Sequence, residues 1–332
     1  MHHAAIKPLI LAGLLATLAT LATLGTLPAF AQAPFPSKPI TMVVGFAPGG
    51  GTDTAARIIA KKLTENTGQN VIVENKSGAG GNIAANHVSK AAPDGYTIIL
   101  TAPGSVAVAP HQNSNLPYDP RTDLTPITMA VVFPNVLVVH PSVPAKNVAE
   151  YIKLSITKPG SLSYGSSGIG NAGHLAGELF KIVTKADITH VPYKGGGPAM
   201  ADLLGGQVPS VFASAPSAVP QIKAGKIRAL ATTGATRSSF LPEVPTVAEA
   251  GFPGFEATNW YAYMAPGKTP RAIVELLNRE LVKVLNTPEV RNQLLAQGME
   301  PLPMTVDQLG KYIEREYATW GRVVKEAGIQ AE

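Results

Sequence analysis

The chain contains no cysteine. That absence excludes thiol catalysis, disulfides, iron–sulfur clusters, thiolate zinc sites and lipidation of an N-terminal cysteine. Charge is scarce as well: Asp, Glu, Lys and Arg make up 15% of the 332 residues, and aromatics only 6%. Lys and Arg outnumber Asp and Glu by 27 to 22, a net charge of +5, yet no three cations stand together. A polybasic tract for nucleic acid or anionic lipid is therefore missing. His87, His111, His140, His174 and His190 show neither H-x-x-x-H nor H-E-x-x-H spacing, so a histidine metal site has no support. What is abundant is apolar and turn-forming: 45% hydrophobic residues, 32 Gly and 29 Pro, the composition of a globular chain. The length predicts two domains or one large α/β domain.

The single long apolar run lies at the start. Lys7 precedes a Leu, Ala and Thr stretch from Pro8 to Leu27, followed by Pro28 and Ala29-Phe30-Ala31. This pattern predicts a secretory signal over residues 1–31, cut after Ala31. An uncleaved membrane anchor is the competing reading, disfavoured by the repeated Thr, the A-x-A ending and the lack of a stop-transfer charge. Export would place the protein outside the cytoplasm, away from the NAD and ATP pools, and no cofactor is expected.

Beyond the signal, strand and helix patterns alternate, which predicts an α/β fold with a mostly parallel sheet. A strand over 40–46, a helix to about Thr67, a strand over 70–74, a helix over 82–91 and a strand over 96–101 form a β-α-β-α-β block. TMAVVFPNVLVVH, residues 128–140, reads as an extended crossing between domains that is broken at Pro134, and FEATNWYAY, 255–263, as the return. Three helices over 271–286, 288–297 and 306–327 should cover the first block. The expected division is 38–137 plus 262–332 against 138–261.

Two glycine-rich turns carry the candidate chemistry: Phe46-Ala47-Pro48-Gly49-Gly50-Gly51-Thr52-Asp53, and Gly165 through Ser166, Ser167, Gly168 and Asn171 to His174. Each joins a strand to a helix N-terminus, where free N–H groups and the helix dipole favour an anion and glycine lets it come close. One turn in each domain could hold the two ends of one small dianion; alternatively, the glycines and serines merely cap helices. Gly168–Gly173 spells G-x-G-x-x-G, but the strand before it is short and polar, which argues against a dinucleotide. A hydrolase using Ser166 or Ser167 with His174 lacks the G-x-S-x-G elbow and an orienting acid. Val191-Pro192-Tyr193-Lys194-Gly195-Gly196-Gly197 repeats the strand-to-turn logic, with Lys194 able to neutralise a ligand.

The segments PFPSKPITMVVGFAPGGGTD, VIVENKSGAGGNIAA, APDGYTIIL, LPYDP, KPGSLSYGSSGIGNAGHLAGELF, HVPYKGGGPAMADLLGGQV and LPEVPTVAEAGFPGFE run in an order that resembles the Bug-type (TctC-like) receptors of tripartite tricarboxylate transporters. The resemblance spans residues 34 to 330. It implies a non-enzymatic, monomeric periplasmic binding protein with the type II-like flytrap fold, two α/β domains closing on a carboxylate in the cleft between them. It implies as partners a small carboxylate and the membrane permease subunits of the transporter, or a sensor kinase in place of the permease, and no nucleic acid. Carried onto matching positions, the ligand residues are Phe46, Gly50, Gly51, Thr52, Asp53, Ser166, Ser167, Asn171 and His174, with Ser105 and Lys194 as weaker candidates. Family members that bind amino acids commonly have an acid after the Phe matching Phe212; here the residue is Ala213. An ammonium would lose a charge-assisted hydrogen bond of roughly 1.5–3 kcal/mol there. The expected ligand is an amine-free mono- or dicarboxylate, unless Ala213 is simply a small packing residue; with Phe46 and Trp260 as ring faces an aromatic diacid such as terephthalate would fit, and citrate-like and aliphatic diacids remain open.

Overall fold

Ile40, Met42, Val43 and Val44 are buried, and this apolar run forms the middle strand of the first β-α-β-α-β block, β1 (Ile40–Val44). The Pro48–Gly51 turn leads into α1 (Gly51–Thr67), which buries Ala55, Ala56, Ile59, Ala60 and Leu63 at helical spacing. Gly68, at φ 69°, ends it in a left-handed cap that glycine adopts without steric cost. β2 (Val71–Asn75), α2 (Asn82–Ser89) and β3 (Thr97–Thr101) complete the predicted block, three parallel strands of order β2-β1-β3 in a larger sheet that is mixed rather than mostly parallel as expected. The computed structural model describes residues 35–327, so the predicted secretion signal lies outside the described residues.

A wide helical turn at Gly104–Val108 and the short α3 (Ala109–Gln112) precede β4 (Leu124–Val139). The chain then builds α4 (Val148–Thr157), β5 (Ser163–Ser166), α5 (Ala172–Thr184), β6 (Thr189–Pro192), α6 (Gly196–Leu204), β7 (Ser210–Ser214), α7 (Ala215–Lys223) and β8 (Arg228–Thr232). It returns along β9 (Thr258–Pro266) and closes with α8 (Arg271–Leu285), α9 (Pro288–Ala296), β10 (Glu300–Pro301) and α10 (Val306–Ala327). The last helices pack against α1, β4 and the Gly104–Val108 turn, on the first block as predicted.

The break expected at Pro134 does not occur; β4 is continuous for 16 residues. Up to Pro134 it pairs antiparallel with β9, and from Asn135 or Val136 onward with β7 and β8. Proline has no N–H for a ladder, and here it stands where the strand changes partners. Among the described residues, 38–327 form one compact unit with two main apolar cores. One gathers Val43, Ile99, Met129, Trp260 and Leu309; the other gathers Leu137, Tyr151, Tyr164, Phe180 and Phe212. Two main cores joined by β4 make a two-domain α/β fold, with the glycine turns of both halves at the junction.

Candidate functional site

Four helices begin around one small chamber. Its wall includes Gly50, the residue preceding the first turn of α1; Asn171, in the same place before α5; Gly196, the first residue of α6; and Ser214, before α7. At none of these helix starts does the preceding side chain make a capping hydrogen bond. Their partial positive charges converge without any charged side chain in the wall, which also contains Phe46, Gly51, Thr52, Ser167, Asn259 and Tyr261. The chamber is tight, about 20 Å³, room for a water-sized group.

Tyr261 is the hub. Burial pushes its phenol up to about 12, against the opposing effect of hydrogen bonds with Thr52 and Ser214, so it stays a protonated donor. Phe133 packs edge-on against its ring at 4.7 Å. Tyr261 and Asn259 are absent from the sequence reading because nothing local distinguishes them; strand alternation sets them on one face of β9 and Trp260 on the other. Trp260, expected as a ring face for the ligand, is instead fully buried in the first core, its indole N–H donating to Glu316 Oε2 at 2.8 Å. Ser214 did leave a signal, since Ser followed by Ala-Pro is a helix-start pattern.

The predicted site residues other than Lys194, which lines an adjoining chamber, separate into two groups. Phe46, Gly50, Gly51, Thr52, Ser167 and Asn171 all line the chamber. Asp53, Ser105, Ser166, His174 and Ala213 are buried outside its wall. Asp53 braces the first turn: its carboxylate accepts the Gly49 N–H at 3.1 Å, the Asn75 amide at 3.0 Å and the Arg57 guanidinium. Burial alone would raise its pKa, but those hydrogen bonds outweigh burial and hold it below the ordinary carboxylate value. Ser105 Oγ is bonded to Thr101 Oγ1 at 2.7 Å. Ala213 pairs with Val136 within the sheet, and Ser214, one residue on, faces the chamber instead.

Ser166 and His174 shape the second turn from beneath. Ser166 Oγ accepts the Gly168 N–H at 3.2 Å and lies 2.7 Å from His190 Nε2; His174 Nδ1 accepts the Gly170 N–H at 3.1 Å. The two imidazoles stack at 4.1 Å. The serine's histidine neighbour is thus His190 rather than His174, in a buried structural contact. Burial, with the nearby His174 and Lys181 charges, drives the His190 pKa down to about 3. An unfolded histidine titrates near 6.5, so between those values the unfolded chain binds the extra proton. Stability is therefore fully present above pH ~6.5 and drains away as pH falls toward 3. Urea midpoints measured from pH 7 to 4 should fall, and fall less in His190→Gln; equal slopes would clear His190 of the effect.

A second, more open chamber of about 260 Å³ adjoins the first, sharing Phe46 and Ser167, and includes Lys194. Around both, the two halves meet backbone to backbone. The Ala47 N–H donates to the Lys194 carbonyl at 3.2 Å. A Cβ on Gly80 would stand 2.8 Å from the Ile169 carbonyl oxygen, and one on Gly197 2.7 Å from that of Pro48.

Residues 55–329 match the family described as Tripartite tricarboxylate transporter family receptor, TctC. Protein BugT of Bordetella pertussis is 39% identical over 297 residues, covering 89% of this chain and 91% of that protein. An R. palustris protein solved with adipate is 40% identical with TM-score 0.86, over 89% of this chain and 99% of that one. MatC from Rhodopseudomonas palustris, with bound malate, is 34% identical with TM-score 0.83, over 87% and 100%. With its two cores, its crossing strands and its ring of helix starts, the chain belongs to the TctC family of tripartite tricarboxylate transporter receptors, which are periplasmic binding proteins and not enzymes.

Proposed function

We propose that the protein captures a small, amine-free dicarboxylate between its two halves and delivers it to the membrane permease of a tripartite transporter. The observation that carries this reading is the convergence of four helix N-termini, uncapped by the residues before them, on a chamber with no charged side chain. Such a site stabilises a carboxylate through dipoles and N–H donors. Neither chamber has an Asp or Glu in its wall, so an ammonium group would find no counterion in either. The ligands of the two R. palustris relatives, adipate and malate, are both diacids without an amine.

In this reading Phe46, Gly50, Gly51, Thr52, Ser167 and Asn171 contact the ligand, together with Ser214, Asn259 and Tyr261. Asp53, Ser166 and His174 hold the turns, and Lys194 faces the outer chamber. The Phe46 ring, shared by both chambers, favours a flat body such as that of terephthalate. The hinge is the β4–β9 crossing, dividing 38–137 plus 262–332 from 138–261, and residues 1–31 direct export to the periplasm.

Ligand binding should favour closure, because only contacts from both halves distinguish the closed state. A thermal-shift screen of the ligand-stripped protein against terephthalate, phthalate, adipate, malate, citrate, aspartate and glutamate tests the reading. A ligand at 100 times its Kd adds about 2.7 kcal/mol, a rise of several degrees for a chain of this size. The expected result is a shift with an amine-free diacid and none with aspartate or glutamate. A shift with the amino acids alone would overturn the amine-free assignment.

A further inference from the structure

We infer that Asn171 is the latch of the closed receptor: its carboxamide crosses from the second half into a seat that two glycines of the first half, Gly80 and Gly104, leave open for it. The inference rests on the capture-by-closure reading above, and it gives Asn171 a task beyond its place in the chamber wall.

Asparagine is among the residues preferred immediately before a helix, where its side-chain oxygen accepts a first-turn N–H. Asn171 stands in that place before α5, with the extended backbone (φ −81°, ψ 161°) that capping needs, yet its side chain makes no capping hydrogen bond. The carboxamide is turned away from its own helix instead. Its Nδ2 donates to the Ser167 carbonyl at 3.4 Å, a long bond within the second turn. A Cβ on Gly104 would stand 2.5 Å from Asn171 Oδ1, and one on Gly80 would stand 3.6 Å from Asn171 Nδ2. At 2% exposure the residue is enclosed where it stands.

Gly104 is the informative partner. Its φ lies outside the left-handed region, so its backbone, at the start of the wide helical turn, would accept any L-residue. What excludes a side chain there is the Asn171 oxygen and, at 3.2 Å, the Gly80 carbonyl oxygen. Glycine at this position serves close approach rather than a turn. Gly80 lines the outer chamber and Asn171 the inner one, so the seat lies between the two and forms only when the halves meet. A contact made only in the closed form stabilises that form alone, and so raises the affinity of a ligand that needs closure. With its oxygen in the seat, Asn171 also leaves the first N–H groups of α5 to an anion, which ties closure to the exposure of those donors.

The test is a double-mutant cycle on the ligand-stripped protein, with Gly104→Ala, Asn171→Ala and the two combined, read by calorimetric titration with adipate and with malate. Gly104→Ala should weaken binding of whichever diacid the wild type takes at least tenfold, because the methyl group occupies the seat. The urea midpoint of the unliganded Gly104→Ala protein should stay at the wild-type value. Asn171→Ala removes the latch and should weaken binding several-fold. In that background the methyl group on residue 104 meets no carboxamide, so the double variant should bind within threefold of Asn171→Ala. Penalties that multiply in the double variant, or wild-type affinity in Gly104→Ala, would overturn the latch. A urea midpoint that falls in step with affinity would overturn it too, by showing an ordinary packing contact. A wild type that binds neither adipate nor malate brings down the ligand class proposed above and the latch with it; one that binds either diacid without the non-additivity brings down the latch alone.

Discussion

Gly197→Ala is expected to weaken ligand binding at least tenfold while leaving the unliganded protein as stable as the wild type, or slightly more so. Gly197 is the second residue of α6, with no left-handed φ, so alanine suits its backbone and improves helix propensity by up to ~1 kcal/mol. Its added Cβ, however, would stand 2.7 Å from the Pro48 carbonyl oxygen and 3.3 Å from the backbone of Gly49 and Gly50. All three contacts are main-chain atoms of the opposite half, which cannot swing aside as a side-chain tip does. The methyl group would hold the halves apart at the point where Ala47 bonds to Lys194, and so, under the proposed capture by closure, would oppose the ligand-bound state. A tenfold loss requires only 1.4 kcal/mol of opposition to closure. Titration calorimetry gives the affinity and chemical denaturation the stability. Loss of both in parallel would show that the seam is an ordinary packing contact.

Tyr261→Phe should cost about 10- to 100-fold in affinity with a much smaller effect on stability. The hydroxyl is held between Thr52 of one half and Ser214 of the other, in the wall of the inner chamber. A hydrogen bond to a carboxylate is worth about 1.5–3 kcal/mol, which sets the size of the loss. The ring itself, packed on Phe133, remains in phenylalanine, so the core is preserved. With its pKa near 12 the phenol is a donor throughout neutral pH, and the wild-type affinity should show no titration from this group between pH 6 and 9. An unchanged Kd alongside a lowered Tm would reduce Tyr261 to a strut between the halves.

Much of this architecture is local and therefore readable from residues. The Val-Val and Ile-Ile runs of β1 and β3, the Ala and Leu stripe of α1 and the glycine turns between them all act within a few residues of one another. The first-turn residues Gly50, Gly51 and Thr52 and the second-turn residues Ser167 and Asn171 could be singled out for that reason, and the fold sets them in one chamber wall. Ser166 and His174 share the same neighbourhood and residue types, yet their side chains point back into the turn. Sequence offers no means of separating a serine that faces a ligand from one that braces the loop beneath it. Trp260 and Tyr261 make the same point in a strand: one residue of register decides which ring meets the core and which meets the cleft.

The sequence by itself determined the alternation of strands and helices and the two glycine turns that favour an anion; that no acid lines the chambers emerged only from the structure, which sets Asp53 outside the wall. Only the tertiary structure decided that Ser214, Asn259 and Tyr261 line the same chamber as the first glycine turn, that four helix starts share it, and that glycines on opposite halves meet across it. These depend on β4 running from one sheet into the other and on the chain returning into β9 beside it, which brings together residues far apart in sequence. Local propensity fixes what a segment is; the crossing strands fix what it faces.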